Sequence, residues 1–359
     1  MTPNPTLRDV ALLSGVSIMT VSRVINADSE VTSATAQRVR EAIETLGYRP
    51  NPLARSLRTG HDEAIGLVVE TIGDPFFAAV TEAVEEAARK AGLFLIIAST
   101  GKSPDQERAV ILDLLHRSVC GLIVVPCFLA YGKERLPIGA GGVPVVFVDR
   151  PPIDLEADTV LVHNEDGARH ATAHLIAHGH RRIAFAGTGI ERFSLQRRLD
   201  GYRSALADAG IAYDPSLVVS YAPDTHERSP VLAKVLTLGD PATAVLSANA
   251  VASLEVVREL HSLARTDIAF VSFDDFAIAD SLTPPVTVAR QDPALMGRTA
   301  TYLLLRRIRG DTGPPRHVLL PTTFLERGSG EIEPRSASDL RSAARTGLRQ
   351  SVPVHARPN

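Results

Sequence analysis

The chain has 359 residues, 45% of them hydrophobic and 22% charged, with two cysteines and a formal net charge of −3. That composition suits a large buried core shared between two or three domains, and it excludes a disulfide framework, a zinc pair and a protein that coats nucleic acid along its whole surface. There is no basic leader and no apolar run near the roughly 18 residues of a membrane-spanning helix, so the expected address is the cytoplasm with no membrane partner.

Charge is unevenly placed. Residues 1 to 60 hold seven Arg against five acids, which leaves 31 basic and 36 acidic residues in 61 to 359. A positive field confined to the first segment puts any phosphate contact there.

The first stretch, TLRDVALLSGVSIMTVSRVIN (Thr6 to Asn26), reads as a helix-turn-helix. Thr6 and Asp9 have capping-box spacing, Leu7, Val10, Ala11 and Ser14 share a face, and Gly15 stops the helix. Ser17 caps a second helix with Val21, Val24 and Ile25 inward and Ile18, Met19, Ser22, Arg23 and Asn26 outward. Small hydroxyls at Ser17, Thr20 and Ser22 beside Arg23 suit a DNA major groove, where hydroxyls and amides meet phosphates and arginine can chelate guanine. A third helix carries Val39, Ala42, Ile43 and Leu46, is capped by Thr32 and stops at Gly47. In YRPNPLARSLRTG, Pro50 and Pro52 break the chain while Asn51 can cap a short helix to Arg58, one too short to stand without a partner.

From Ile65 the pattern alternates between strand and helix, the mark of doubly wound parallel sheets. Strands are predicted at IGLVVE, FLIIAS, GLIVVP and VPVVFVD, with helices near Phe76 to Ala91 and Asp105 to His116. A second series has strands near Thr159 and at RRIAFAG, SLVVSY, TAVLSA and DIAFVSFD, with helices near Asp166 to His178, Arg198 to Ala209 and Val251 to His261. VTVARQD, a helix from Pro293 to Ile308 and HVLLP then return to both lobes, which implies a cleft over a hinge. Glu331 to Asn359 reads as a disordered tail without leucine heptads.

Other signals point away from catalysis and cofactors. Cys120 and Cys127 read as buried small hydrophobes. His170, His174 and His178 recur every four residues with no acidic or thiol ligand evident beside them, so they read as a solvated helix face and no metal site is expected. GTG at Gly187 to Gly189 lacks the full dinucleotide fingerprint. Neither a GxSxG elbow, a P-loop nor a carboxylate pair is present, so no enzyme is expected.

The headpiece, the linker NPLARSLRTG, DPFF at Asp74 to Phe77 and SFDD at Ser272 to Asp275 occur in one order that resembles the LacI/GalR family of transcription regulators over about residues 5 to 330. The resemblance implies a small all-α helix-turn-helix headpiece (1–50), a hinge helix and linker (51–61), a two-lobed α/β periplasmic-binding-protein-like domain for effector and dimerisation (62–330), and the tail (331–359). It implies a homodimer on double-stranded palindromic operator DNA, a repressor of sugar or sugar-acid metabolism released by a small-molecule effector. The alternative is a corepressor-type regulator responding to a nucleobase or phosphosugar. Ile18, Met19 and Arg23 then match base-reading positions, with Thr6, Ser17, Thr20, Ser22 and Asn26 positioning the backbone. Leu57 matches a minor-groove wedge that unstacks a base step, flanked by Asn51, Arg55 and Arg58. Side chains just after strands match effector positions: Asp149, Asn249, Asp274 and Gln291, joined by Phe76, Phe77 and Arg198. Three departures stand out, since Ala250 replaces an acidic residue usual in the family, His163 stands at another Asp position, and Cys120 replaces an Asp before a strand.

Overall fold

The computed structural model describes residues 5–25, 31–48, 64–127, 131–134, 136–221 and 230–334. Three helices form the headpiece: α1 (Leu7–Ser14), α2 (Ile18–Ile25) and α3 (Ser33–Leu46). They exist as written because their ends are chemically closed. The Thr6 hydroxyl accepts from Asp9 N while the Asp9 carboxylate accepts from Thr6 N at 2.7 Å, and Gly15 and Gly47 take the left-handed conformation that ends α1 and α3. Val10, Ala11, Val21, Val39 and Ala42 fill the core between them, and Tyr48 closes it.

The body is two six-stranded sheets, each sandwiched by helices. In chain order the first lobe contributes β1 (Ala64–Val69), α4 (Pro75–Lys90), β2 (Phe94–Ser99), α5 (Pro104–His116), β3 (Gly121–Val124), α6 (Tyr131–Glu134), β4 (Val145–Val148) and β5 (Asp158–Val162). The second contributes α7 (Asn164–Ala177), β6 (Ile183–Thr188), α8 (Phe193–Asp208), β7 (Val218–Tyr221), α9 (Leu232–Leu236), β8 (Ala244–Ser247), α10 (Ala250–Ser262), β9 (Ala269–Phe273) and β10 (Thr287–Arg290). The chain then returns through α11 (Pro293–Ile308), β11 (His317–Leu320) and β12 (Thr323–Leu325). Strand orders are β11-β5-β4-β3-β1-β2 and β12-β10-β9-β8-β6-β7, parallel throughout except for the β10–β12 pair.

Near-continuous apolar strands are required because both faces of each sheet are covered. In the first lobe α4 and α11 cover one face around Val80, Val84, Met296 and Leu304, and α5 covers the other around Ile111 and Leu114. The second lobe uses α7 and α8 on one face and α9 and α10 on the other. Each lobe has one helix pair in close approach at a glycine: a Cβ on Gly297 would lie 2.7 Å from the Val80 carbonyl oxygen, and one on Gly201 would collide with the carbonyl of Glu165.

Several sequence expectations change. The strand near Thr159 belongs to the first lobe, since β5 lies between β4 and β11 and the chain crosses to the second lobe only afterwards, at Val162 to Asn164. The three-residue β12 is too short to show a period. The tail does not begin at Glu331, whose carboxylate accepts from Thr287 Oγ1 at 3.0 Å and contacts His174 Nε2 at 2.7 Å. Ile332 O likewise lies 2.7 Å from His180 Nε2. The histidine face is therefore not solvated throughout: the His174 side chain is 8% exposed, and the rings of His170 and His174 pack on Phe324. An acidic partner 157 residues away in the chain is invisible to helical spacing. Among the described residues no group of three His, Cys, Asp or Glu side chains could hold a metal ion. Cys127 is buried, while Cys120 is half-buried against the first core, its thiol 3.2 Å from Ala64 O.

One buried acid stands apart from the sheet cores. Glu107 of α5 is fully buried and accepts from Cys127 N at 2.5 Å and from the Tyr131 hydroxyl. Burial pushes its carboxyl up to about 7 even though both hydrogen bonds favour the carboxylate. A folded-state value above the ordinary 4.5 means that its contribution to stability is complete below pH 4.5 and is lost as pH rises through about 7. Glu107→Gln, which can keep both contacts with its amide oxygen on Cys127 N and its amide N–H on Tyr131, is expected to flatten this dependence. Denaturant melts at pH 5 and pH 8 should show the wild type losing about 1–3 kcal/mol relative to the variant; parallel pH profiles would refute the assignment.

Candidate functional site

The headpiece presents α2 outward. Ile18 and Met19 at its start are exposed at 45% and 68%, Ser17 and Arg23 are exposed, and Thr20 and Ser22 are half-buried. Ser17 caps the helix, its hydroxyl accepting from Thr20 N at 3.1 Å and lying 2.9 Å from the Thr20 hydroxyl. Thr6 is exposed but its hydroxyl is held in the capping box. Two large apolar side chains left in water at a helix start, next to hydroxyls and an arginine, form a surface able to enter a groove and meet base edges. Asn26, Asn51, Arg55, Leu57 and Arg58 lie outside the described residues.

The second candidate site is the cleft between the lobes. Both parallel sheets aim their strand ends at it, and the chain crosses between lobes at Val162 to Asn164, Arg290 to Pro293 and Leu320 to Thr323, which makes the hinge. All seven sequence-selected residues, Phe76, Phe77, Asp149, Arg198, Asn249, Asp274 and Gln291, line one cavity of about 40 Å³ there. Asp149 and Asp274 occupy equivalent places, each following the third strand of its sheet, and both adopt left-handed backbone at φ 66° and 72°. Aspartate tolerates that region better than most residues, and a pair of such outliers facing one cleft is a site signature.

The sequence reading missed a shell of charge. Glu70, Asp74, Arg150 and Arg192 also line the cavity, so four carboxylates face three guanidiniums. Arg150 Nη1 donates to Glu70 at 2.7 Å and to Pro126 O at 3.1 Å, and its Nε donates to Asp149 at 3.1 Å. Across the cleft, Arg192 of the second lobe reaches Glu70 of the first at 3.1 Å, and the Ser194 hydroxyl donates to Asp149 at 3.4 Å. Arg198 lies over the Phe273 ring at 3.8 Å and donates to Asn164 Oδ1, Ala248 O and Asp274. Burial raises the carboxyls of Asp149 and Asp74; for Asp149 the guanidiniums of Arg150 and Arg198 only partly oppose it, and for Asp74 the carboxylates of Asp274, Asp149 and Glu70 add to it. Glu70, the first residue after β1, satisfied the same rule that selected Asp149. Arg192 lies in a loop, where no periodicity marks it.

Several selected residues have a structural task as well. Asn249 caps α10 through Ala252 N at 2.9 Å and donates to the Thr188 hydroxyl at 2.8 Å, so its amide is committed. Phe77 is 4% exposed and belongs to the first core, with the half-buried Phe76 ring edge-on to it at 5.2 Å. Gln291 donates to Asp274 at 2.8 Å, whereas its Oε1 is buried and has no partner. A buried acceptor without a partner is uncommon and marks a place in the cleft where a donor is missing. His163 lies outside the cavity lining and pairs with Asp166 at 3.0 Å on the half-exposed start of α7.

Comparison with known proteins finds relatives of both the headpiece and the two-lobed body. A model of bacterial regulatory proteins of the lacI family matches residues 6–51, and a periplasmic binding protein-like domain matches residues 172–330. The HTH-type transcriptional regulator CelR of Thermobifida fusca is 35% identical over 339 residues, covering 91% of this chain and 98% of that protein. The ribose operon repressor of Haemophilus influenzae is 32% identical over 330 residues, covering 90% and 98%. Among solved structures, a CelR–cellobiose complex is similar with 32% identity and a TM-score of 0.66, covering 90% of this chain and 99% of that one. The Lac repressor dimer bound to operator and the anti-inducer ONPF is similar with 26% identity and a TM-score of 0.79, covering 91% and 99%. With a helix-turn-helix headpiece ahead of a two-lobed cleft, and with relatives aligned over nearly its whole length, this chain belongs to the LacI family of bacterial transcription regulators.

Proposed function

We propose that the protein is a cytoplasmic homodimeric repressor that holds a palindromic operator and releases it when a neutral polyhydroxylated ligand, a sugar, seats between the lobes. The observation that carries this reading is the polar wiring of the cleft, where Glu70 and Asp149 of one lobe are joined to Arg192 and Ser194 of the other. A ligand seated there competes with those contacts and so favours a different lobe arrangement. Its effect on the operator is limited to its differential affinity for the two arrangements, typically about 1–3 kcal/mol of coupling.

The charge balance favours a neutral ligand over the phosphosugar alternative. Carboxylates outnumber guanidiniums in the lining, and Arg150, Arg192 and Arg198 are each paired with one of them. In the inner cavity a phosphate would face Glu70, Asp74, Asp149 and Asp274 with every lining guanidinium already paired, whereas hydroxyls can donate to carboxylates and accept from arginine. The cellobiose bound by CelR and the ribose operon named for a second relative support the same class.

On DNA we assign base reading to Ile18, Met19 and Arg23, backbone positioning to Thr6, Ser17, Thr20, Ser22 and Asn26, the minor-groove wedge to Leu57, and its flanking contacts to Asn51, Arg55 and Arg58. Two measurements test the two halves of the reading. Thermal unfolding of the purified protein against sugars, sugar acids, sugar phosphates and nucleobases should show stabilisation by a neutral sugar alone, about 2.7 kcal/mol at 100 times its Kd, and that sugar should lower operator retention. A shift produced only by phosphorylated compounds or nucleobases would reverse the assignment. In operator titrations at fixed salt, Arg23→Ala should relax preference at one base pair of each half-site by about 1–3 kcal/mol, and Leu57→Ala should weaken binding with the melting temperature unchanged. Equal affinity for wild type and Leu57→Ala would remove the wedge role.

A further inference from the structure

The ligand cavity does not end at the inner cleft. A second chamber of about 430 Å³ adjoins it, and the two share Phe76, Ala250, Asp274 and Gln291 as a common wall. The inner cavity, about 40 Å³, holds little more than a water molecule until the lobes move, while the outer chamber already has the size of a small-molecule site. We infer that the effector is a disaccharide or longer saccharide, with one ring in the inner cleft and the next in the outer chamber, and that Ala250 sets this length by leaving the passage between them open. The inference rests on the sugar reading above and specifies its ligand.

Three features of the junction support it. Ala250, the first residue of α10, places only a methyl group in the shared wall and is 9% exposed. The Phe76 ring offers an apolar face to a sugar ring, and Gln291 lines both chambers with a buried Oε1 that has no partner among the described residues, an acceptor that a ligand hydroxyl near the glycosidic linkage would satisfy once the lobes move. In the outer chamber Asp275 is taken by Arg327 through two contacts of 2.9 and 2.7 Å, and Asp292 is taken by the cap of α11 at 2.8 Å. Arg290 is exposed and, although its charge acts on the Asp275 carboxylate, it makes no close ion pair among the described residues, so its guanidinium donors can meet a ligand there. An arginine facing ring hydroxyls gives the second ring hydrogen bonds that a monosaccharide cannot use.

An acidic side chain at Ala250 would narrow the passage, and at the first position of a helix it is electrostatically tolerated, so Ala250→Asp is expected to fold. The test is calorimetric titration of the full-length protein with glucose and galactose and with cellobiose, maltose and lactose, in the wild type, Ala250→Asp and Arg290→Ala, with ligand-free melting temperatures as the folding control. At least one disaccharide should bind the wild type tenfold or more tightly than either monosaccharide. Ala250→Asp should cut that ratio at least tenfold and Arg290→Ala at least threefold. A monosaccharide that binds as tightly as every disaccharide, or a ratio unmoved by both substitutions, overturns the two-chamber inference and leaves the sugar reading intact. Binding of no saccharide of either length overturns both.

Discussion

Glu70 is the residue on which the cleft depends. Its carboxylate, 2% exposed, contacts Arg150 of its own lobe at 2.7 Å and Arg192 of the other at 3.1 Å, while Arg150 also holds Asp149. A buried carboxylate held by two cations loses part of the compensation for its desolvation when either one leaves. The two lobes otherwise have separate apolar cores. Their relation is therefore governed by polar contacts that a polar ligand can replace one for one, and that is the property a switch requires.

Parallel topology explains why so much charge can gather there. Strand carboxyl ends and helix amino ends point the same way in each doubly wound lobe, so the cleft receives the starts of α4, α10 and α11. Their caps, Asp74, Asn249 and Asp292, spend side-chain acceptors on backbone N–H groups. The partial positive charge of those helix starts offsets part of the carboxylate excess. Behind the second-lobe wall a buried hydroxyl relay holds the backbone in place: Ser253 contacts Ser247 and Ser272 at 2.6 Å each, and Ser272 donates to Asp274 O at 2.6 Å. The left-handed turn at Asp274 is thus fixed from behind while its carboxylate is held from in front by Arg198 and Gln291.

Much of this was legible in the sequence because it follows local rules. Helix caps at Thr6, Ser17 and Thr32, stops at Gly15 and Gly47, and apolar strand runs are written within a few residues, and the rule that ligands meet residues just after strands selected Asp149, Asn249, Asp274 and Gln291. The same rule should have selected Glu70. What was hidden is what depends on long separations: Arg192 meeting Glu70, His174 meeting Glu331, and β5 pairing with β11 rather than joining the second series. Nothing local distinguishes a strand that closes one lobe from one that opens the next, because the crossing itself is only a few residues long. The histidine row shows the same limit in reverse, since a four-residue spacing that looks like a solvated face is half covered by a three-residue strand about 150 residues further along the chain.

The commitment of the cleft groups constrains which ligands can act. Arg198 already satisfies Asn164, Ala248 and Asp274, and Asn249 already satisfies Ala252 and Thr188, so these residues can accept only a ligand that tolerates their existing bonds. An anionic ligand in the inner cavity would have to displace a carboxylate from an arginine and leave that carboxylate buried and unpaired, a cost of several kcal/mol. A hydroxyl instead inserts as donor to one partner and acceptor from the other, so the ion pairs loosen without losing compensation. On the proposed reading, selectivity for neutral polyols follows from the pairing that holds the cleft together, and Ala250, which only fills space, is left to set how long the ligand can be.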